Sequence, residues 1–257
     1  MQLPLLLPGK RVLVVGIADQ DSIATGIARA LHEAGARLAI TWKNSKIRPE
    51  TEAIGRALDA EILLPLEVRE ATEMDTLFGT IAARWGGLDG LVHSIAWAPR
   101  QALAAPIMDV TLADFTAAMD ISCHSFLRLA QRAAPLMDQG GALITLTYQG
   151  AERVVPNYGI MGPVKAALEA SCRSLAAELG PRGIRVHAVS PGPIATRAAG
   201  ALPDFAKLLA DSAVQAPTRR LATQADVGAT CAFLLSEHAA AVSGGVVFVD
   251  GGQHVMA

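Results

Sequence analysis

The chain has 257 residues, 51% of them hydrophobic and 18% charged, with a formal net charge of −2. That balance suits one α/β globule with strands buried on both faces. With no cluster of Lys and Arg, it implies neither nucleic acid nor an anionic membrane surface as a partner. The three cysteines, Cys123, Cys172 and Cys231, are far apart with no histidine at ligand spacing. They read as buried reduced thiols, and no metal site is expected. The apolar run over 3–7 is interrupted by Pro4 and is too short for a signal peptide. No stretch reaches the roughly eighteen apolar residues of a membrane span, so a cytoplasmic protein is expected.

Apolar runs of strand length alternate with helix-length amphipathic segments. Residues 11–16 form a β-rich run stopped by Gly16, and 22–34 read as a helix closed by Gly35. Strands follow at 37–42, 61–66 and 88–94, with helices at 50–58 and 73–85 between them. Helical patterns over 112–132 and 158–179 bracket a strand at 142–147, and the last two strands are 184–189 and 246–249. Seven strands with helices between them predict a Rossmann-type parallel sheet covered on both faces, in a single domain spanning 1–257. The segment 191–205, dense in Pro, Gly and Ala, predicts a mobile loop.

The first strand ends at Gly16, and the next helix is entered through Ser22-Ile23-Ala24-Thr25-Gly26. Glycines there let backbone approach a pyrophosphate seated on the helix N-terminus, with Ser22 placed to cap it. The G-x-G-x-x-G spacing is absent, and a strand-ending glycine followed by a serine N-cap is an equal account of these residues. The second strand ends Thr41-Trp42-Lys43, without the acid that binds the adenine ribose in NAD-specific folds. Lys43 leaves a 2′-phosphate open, or is an ordinary surface lysine. Leu66-Glu67-Val68 is expected beside the adenine, and the small residues of His93-Ser94-Ile95-Ala96 permit close approach of the nicotinamide ribose.

Tyr158 and Lys165 are seven positions apart on what reads as one helix beginning near Asn157, about two turns and therefore one face. An ammonium beside a tyrosine favours the phenolate and makes the hydroxyl a better donor, which suits charge building on a carbonyl oxygen. An isolated Tyr/Lys pair is equally a core-edge tyrosine and a surface lysine. Here, however, the chain has only two tyrosines, and the other, Tyr148, also ends a strand at the carboxyl edge of the sheet.

These residues resemble the bacterial enoyl-acyl-carrier-protein reductases, the divergent branch of the short-chain dehydrogenase/reductase superfamily. The likeness is carried by Gly16-Ile17-Ala18, Ser22-Ile23-Ala24, His93-Ser94-Ile95-Ala96 and Tyr148-Gln149-Gly150. It continues through Pro156-Asn157-Tyr158-Gly159-Ile160-Met161-Gly162 with Lys165, and Gly192-Pro193-Ile194 with Thr196. The Tyr-x6-Lys pair marks this branch; the ketoreductases carry Tyr-x3-Lys, and position 162 is Gly162.

The resemblance implies NADH- or NADPH-dependent reduction of a trans-2-enoyl thioester, carried by acyl-carrier protein or CoA, in fatty-acid synthesis by a homotetramer. Tyr158 would bind the thioester carbonyl, Lys165 the nicotinamide ribose, and Tyr148 would line the acyl pocket. Gly16, Ser22, Ile23, Lys43, Glu67, Val68 and Ile95 match coenzyme positions, as do Ile194, Ala195, Thr196, Arg197 and Ala198; Ala98 matches a substrate position. Four positions depart from the family pattern: Glu67 for aspartate, Trp97 for phenylalanine, Pro191 for alanine, and Arg197 for an apolar residue. They leave the hydride chemistry intact and bear on chain length and carrier. A carbonyl reductase of the same fold is the alternative, and would want a serine near position 148. A non-catalytic dinucleotide-binding regulator would have lost Tyr158 or Lys165, and both are present.

Overall fold

The computed structural model describes residues 6–196 and 204–256. Its first strand, β1 (Arg11–Val15), pairs in parallel with β2 (Arg37–Trp42) on one side and β4 (Gly90–His93) on the other. Outside β2 lies β3 (Ile62–Pro65); beyond β4 come β5 (Gly141–Leu146), β6 (Ile184–Pro191) and β7 (Val246–Val249). The order β3-β2-β1-β4-β5-β6-β7 reverses between β1 and β4, and the carboxyl ends of those two strands open the crevice where such sheets bind ligands.

Alternation along the strands divides the interior into two cores. Val12 and Val14 of β1 and Ile144 of β5 face α1 (Ile23–Glu33), α2 (Arg48–Ala57) and α9 (Gln224–Leu235). Leu13 and Val15, with Leu143, face α3 (Ala71–Trp85), α6 (Ser125–Ala133) and α7 (Met161–Leu179). Strand residues buried on both faces read as continuous apolar runs because helices cover both sides. The cysteines Cys123, Cys172 and Cys231 are buried and free, as expected.

Several elements differ from the sequence expectation. The helix predicted over 112–132 is α5 (Leu112–Met119) and α6 joined by a π-helical turn, Asp120–His124. That turn points Ser122 at the backbone of Trp97, where its hydroxyl accepts from the amide and donates to the carbonyl, both at 2.7 Å. The helix expected from residue 158 begins only at Met161, because Asn157 (φ 61°) and Gly159 (φ 47°) are left-handed. Tyr158 therefore stands in the turn before α7, not on its face. Of the loop expected over 191–205, residues 192–196 have no regular secondary structure, Pro191 belongs to β6, and residues 191–194 are buried. Residues 197–203 of that segment lie outside the described ones, and α8 (Phe205–Gln215) follows. A short helix, α4 (Arg100–Ala104), precedes α5.

Helix α9 carries apolar residues around its whole circumference, and so gives no 3.6-residue stripe. Its sequence signal is the start, where Thr223 accepts from the Asp226 amide and Asp226 accepts from the Thr223 amide. Thr223→Ala is expected to lower stability by about 1 kcal/mol in urea denaturation. Gly26, read from sequence beside a phosphate, is instead buried under α9, where a Cβ would meet that of Gln224 at 2.4 Å. It serves helix packing.

Candidate active site

A cavity of about 800 Å³ runs along the carboxyl edge of the sheet. At one end lie Gly16, Ser22 and Ile23; Lys43, Glu67 and Val68 flank it; Ile95, Ala98, Tyr148, Tyr158 and Lys165 form the other part, with Ile194 and Thr196 above. Of the residues singled out from sequence, Ala195 is exposed and is not among the lining residues, and Arg197 and Ala198 lie outside the described residues. Sequence reasoning missed Lys46, and Phe205, Lys207 and Leu208 of α8, which also line the cavity. The helical spacing Phe205-x-x-Leu208 was the available signal.

Gly16 is required by a close approach, but to protein: at φ 111° its Cβ would stand 2.1 Å from the Ser94 carbonyl oxygen. Ser22 does occupy the N-cap position of α1, yet its hydroxyl makes no cap bond. It lies 2.9 Å from the Asp19 carbonyl, to which it donates, and 2.9 Å from the Thr25 hydroxyl. The first turn of α1 has no acid. Its backbone N–H groups keep their partial positive charge at the cavity.

Lys43 lies 3.9 Å from a Glu67 carboxylate oxygen and 5.9 Å from the centroid of the Trp97 ring, which is 40% exposed. Burial pushes Glu67 up, but hydrogen bonds from Arg69 and the nearby Lys43 hold it below the usual carboxylate range. Under the cavity floor His93 is buried between Thr145 (Nδ1–Oγ1 2.8 Å) and Ser125 (Nε2–Oγ 2.8 Å). Ser125 donates to the Ile121 carbonyl, so it accepts from Nε2–H, and Nδ1 accepts from Thr145. Burial lowers His93 to about 3, so it is a neutral structural link between β4, β5 and α6.

Tyr148 and Tyr158 meet edge-to-face, ring centroids 5.0 Å apart at 62°. Gly150 admits the Tyr158 ring, since a Cβ there would lie 2.5 Å from Cδ1. The pair does not behave as the spacing suggested. Burial, then Tyr148 and Glu169, raises the Tyr158 phenol well above its ordinary value. Lys165 is itself buried and donates to the Leu146 carbonyl at 2.6 Å; burial lowers it to about 8. Tyr158 is thus held as a neutral hydrogen-bond donor beside a cation that burial has made easier to discharge. A carbonyl reductase would want a serine near position 148; the hydroxyls closest to it in sequence, Thr147 and Thr145, are engaged elsewhere, Thr147 with Glu169 and Thr145 with His93.

Among the described residues no group of three or more His, Cys, Asp or Glu is arranged to hold a metal ion, and no helix is long and apolar enough to cross a membrane.

Comparison with known proteins points to one family. The NADH-dependent enoyl-acyl-carrier-protein reductase of Salmonella typhimurium is 45% identical over 252 residues, 98% of this chain and 96% of that protein. The corresponding enzyme of Nostoc is 43% identical over 97% of this chain and 98% of its own length. Among solved structures, the Bacillus cereus enoyl-acyl carrier protein reductase with NADP+ and an indole naphthyridinone superposes with a TM-score of 0.96 at 41% identity, covering 98% of this chain and 99% of that one. The Anaplasma phagocytophilum reductase in complex with NAD gives a TM-score of 0.95 at 39% identity, covering 100% and 98%. The profile of the enoyl-(acyl carrier protein) reductase family matches residues 16–254, and with the Tyr-x6-Lys pair at the carboxyl edge of the sheet this chain belongs to that family.

Proposed function

We propose that this protein reduces the trans-2 double bond of enoyl thioesters in fatty-acid synthesis, with NADH or NADPH as coenzyme. The observation that carries the reading is the neutral Tyr158 phenol facing Tyr148 in the cavity that Lys165 also lines. The residues fit a nicotinamide dinucleotide. The α1 terminus, uncapped by a side chain and without a first-turn acid, suits a pyrophosphate; Lys165 suits the ribose hydroxyls; Lys43 and Lys46 suit the adenosine end. Ser22, Ile23, Glu67, Val68, Ile95, Ile194 and Thr196 complete the coenzyme contacts. When bound, the nicotinamide supplies hydride for the β-carbon of the enoyl group.

Tyr158 donates its hydrogen bond to the thioester carbonyl oxygen, where negative charge collects as the β-carbon is reduced. Lys165 adds positive potential and orients the ribose. Tyr148 and Ala98 bound the acyl pocket, and Trp97 narrows its mouth. The thioester is carried by acyl-carrier protein or CoA. A homotetramer goes with the family reading, supported by the half-buried apolar edge strand β7 and by Met108 (91% exposed) and Leu112 (82% exposed). A cytoplasmic location goes with that substrate.

The test follows reduced-nicotinamide absorbance with crotonyl thioester, with NADH and NADPH in parallel. Turnover dependent on the enoyl thioester is expected; consumption only with a ketoacyl thioester would favour the carbonyl reductase. In the pH profile, kcat/KM is expected to hold below pH about 8 and to fall about tenfold per unit above it, as Lys165 loses its proton. A profile flat through that region would remove the ammonium from the mechanism.

A further inference from the structure

Helix α7 is tied to the end of β5 at two adjacent residues. Lys165 donates to the Leu146 carbonyl at 2.6 Å, and one helical turn later Glu169 accepts from the Thr147 hydroxyl at 2.6 Å. The next residue along the chain is Tyr148, whose ring rests on Tyr158. The two ties therefore hold the segment 146–148, which supplies the lysine's acceptor and carries the second tyrosine. Glu169 is only 6% exposed. Burial raises the Glu169 carboxyl above its ordinary value, while the hydrogen bond from Thr147, then Arg173 and Lys165, act in the other direction. Lys165, one turn away, is the buried cation of the two.

We propose that Glu169 is a positioning residue for the reduction: it latches the β5 end through Thr147 and is the buried counter-charge that keeps Lys165 protonated. The proposal rests on the enoyl-reductase reading for its chemistry, but not for its electrostatics. Other titratable groups face the pair. Glu152, Tyr158, Cys172 and Arg173 surround Glu169, while His93 and Cys123 face Lys165. Glu152 and Arg173 are exposed and act on Glu169 in opposite directions. His93 is neutral over the working range and the buried thiols stay protonated, burial raising both cysteines. Against the burial that lowers Lys165, Cys123 and then Glu169 act to raise it; the Cys123 thiol is itself raised by burial, which leaves Glu169 as the carboxyl that supports the ammonium.

The test is the pH dependence of two quantities, turnover and the affinity for reduced coenzyme read from nicotinamide fluorescence, in the full-length protein. Glu169→Gln keeps an acceptor for Thr147 and deletes the charge. It is expected to lower kcat about tenfold and to move the alkaline limb of both quantities to lower pH by about half a unit or more. Glu169→Asp is expected to restore the limb, since it restores the charge. Thr147→Val removes the hydroxyl that favours the carboxylate, so it is expected to move the limb in the same direction as Glu169→Gln. It decides the matter if the Glu169 variants melt early. Glu178→Gln, exposed on the same helix, is the control and is expected to leave both limbs in place.

Unmoved limbs in Glu169→Gln and Thr147→Val, whether or not activity falls, would overturn the proposal and leave Glu169 a purely structural residue. No turnover of any enoyl thioester by the native protein, with the coenzyme-affinity limb still shifting between variants, would overturn the functional reading and leave the electrostatic assignment of Glu169 standing.

Discussion

Tyr158→Phe is expected to lower kcat with crotonyl thioester by about 10²- to 10³-fold, the range for loss of one donor to a developing oxyanion. The effect should be catalytic, because phenylalanine keeps the ring that packs on Tyr148 and over Gly150. Melting temperature and coenzyme affinity should therefore stay close to those of the native protein, while kcat collapses. Tyr148→Phe is the informative companion. The Tyr148 hydroxyl accepts from Gln149 Nε2 at a long 3.3 Å, and burial raises its phenol too, so a smaller loss is expected there. If Tyr158→Phe kept native kcat and Tyr148→Phe did not, the donor assignment would pass to Tyr148.

Gly16→Ala is expected to destabilise the protein by about 2–4 kcal/mol and to weaken coenzyme binding at least about tenfold. Two costs coincide at this position. The backbone is at φ 111°, where L-residues are strained, and the new methyl would stand 2.1 Å from the Ser94 carbonyl oxygen. Neither β1 nor β4 has a flexible side chain to yield, since the obstructing atoms are backbone. Relief requires the ends of β1 and β4 to separate at the point where the sheet order reverses. Gly86→Ala is the control: φ is 69°, but nothing lies within 4 Å of the added Cβ, so about 1 kcal/mol is expected from backbone strain alone. Urea denaturation of the two variants separates clash from strain, and equal losses would show that the approach to Ser94 carries no special weight.

Much of this protein is legible in its sequence. Residues 37–42 and 246–249 are strands with the boundaries that their apolar runs imply, and the parallel order follows from strands alternating with helices. Residue type and spacing also sufficed to single out Tyr148, Tyr158, Lys165, Lys43 and Glu67, which all line one cavity. The reason is local: hydrophobic periodicity and glycine punctuation mark where each strand ends, and in a parallel sheet every strand delivers its carboxyl end to the same edge.

What the tertiary structure decided is who touches whom. Tyr158 and Lys165 suggested one helix face, but Asn157 and Gly159 turn the chain left-handed, which periodicity does not register. Lys165 suggested an activated phenol; burial, a property of the packed fold, raises the phenol and lowers the lysine instead. Gly26 suggested phosphate, and only the arrival of α9, two hundred residues later in the chain, shows that the missing side chain makes room for a helix. Glu169 sits in α7 like any charged helix residue until β5 brings Thr147 against it. Spacing along a chain determines which residues reach the sheet edge. Hydrogen-bond partners, desolvation and close backbone approach are set by strand register and helix packing between segments remote in sequence, so they exist only once the chain has folded.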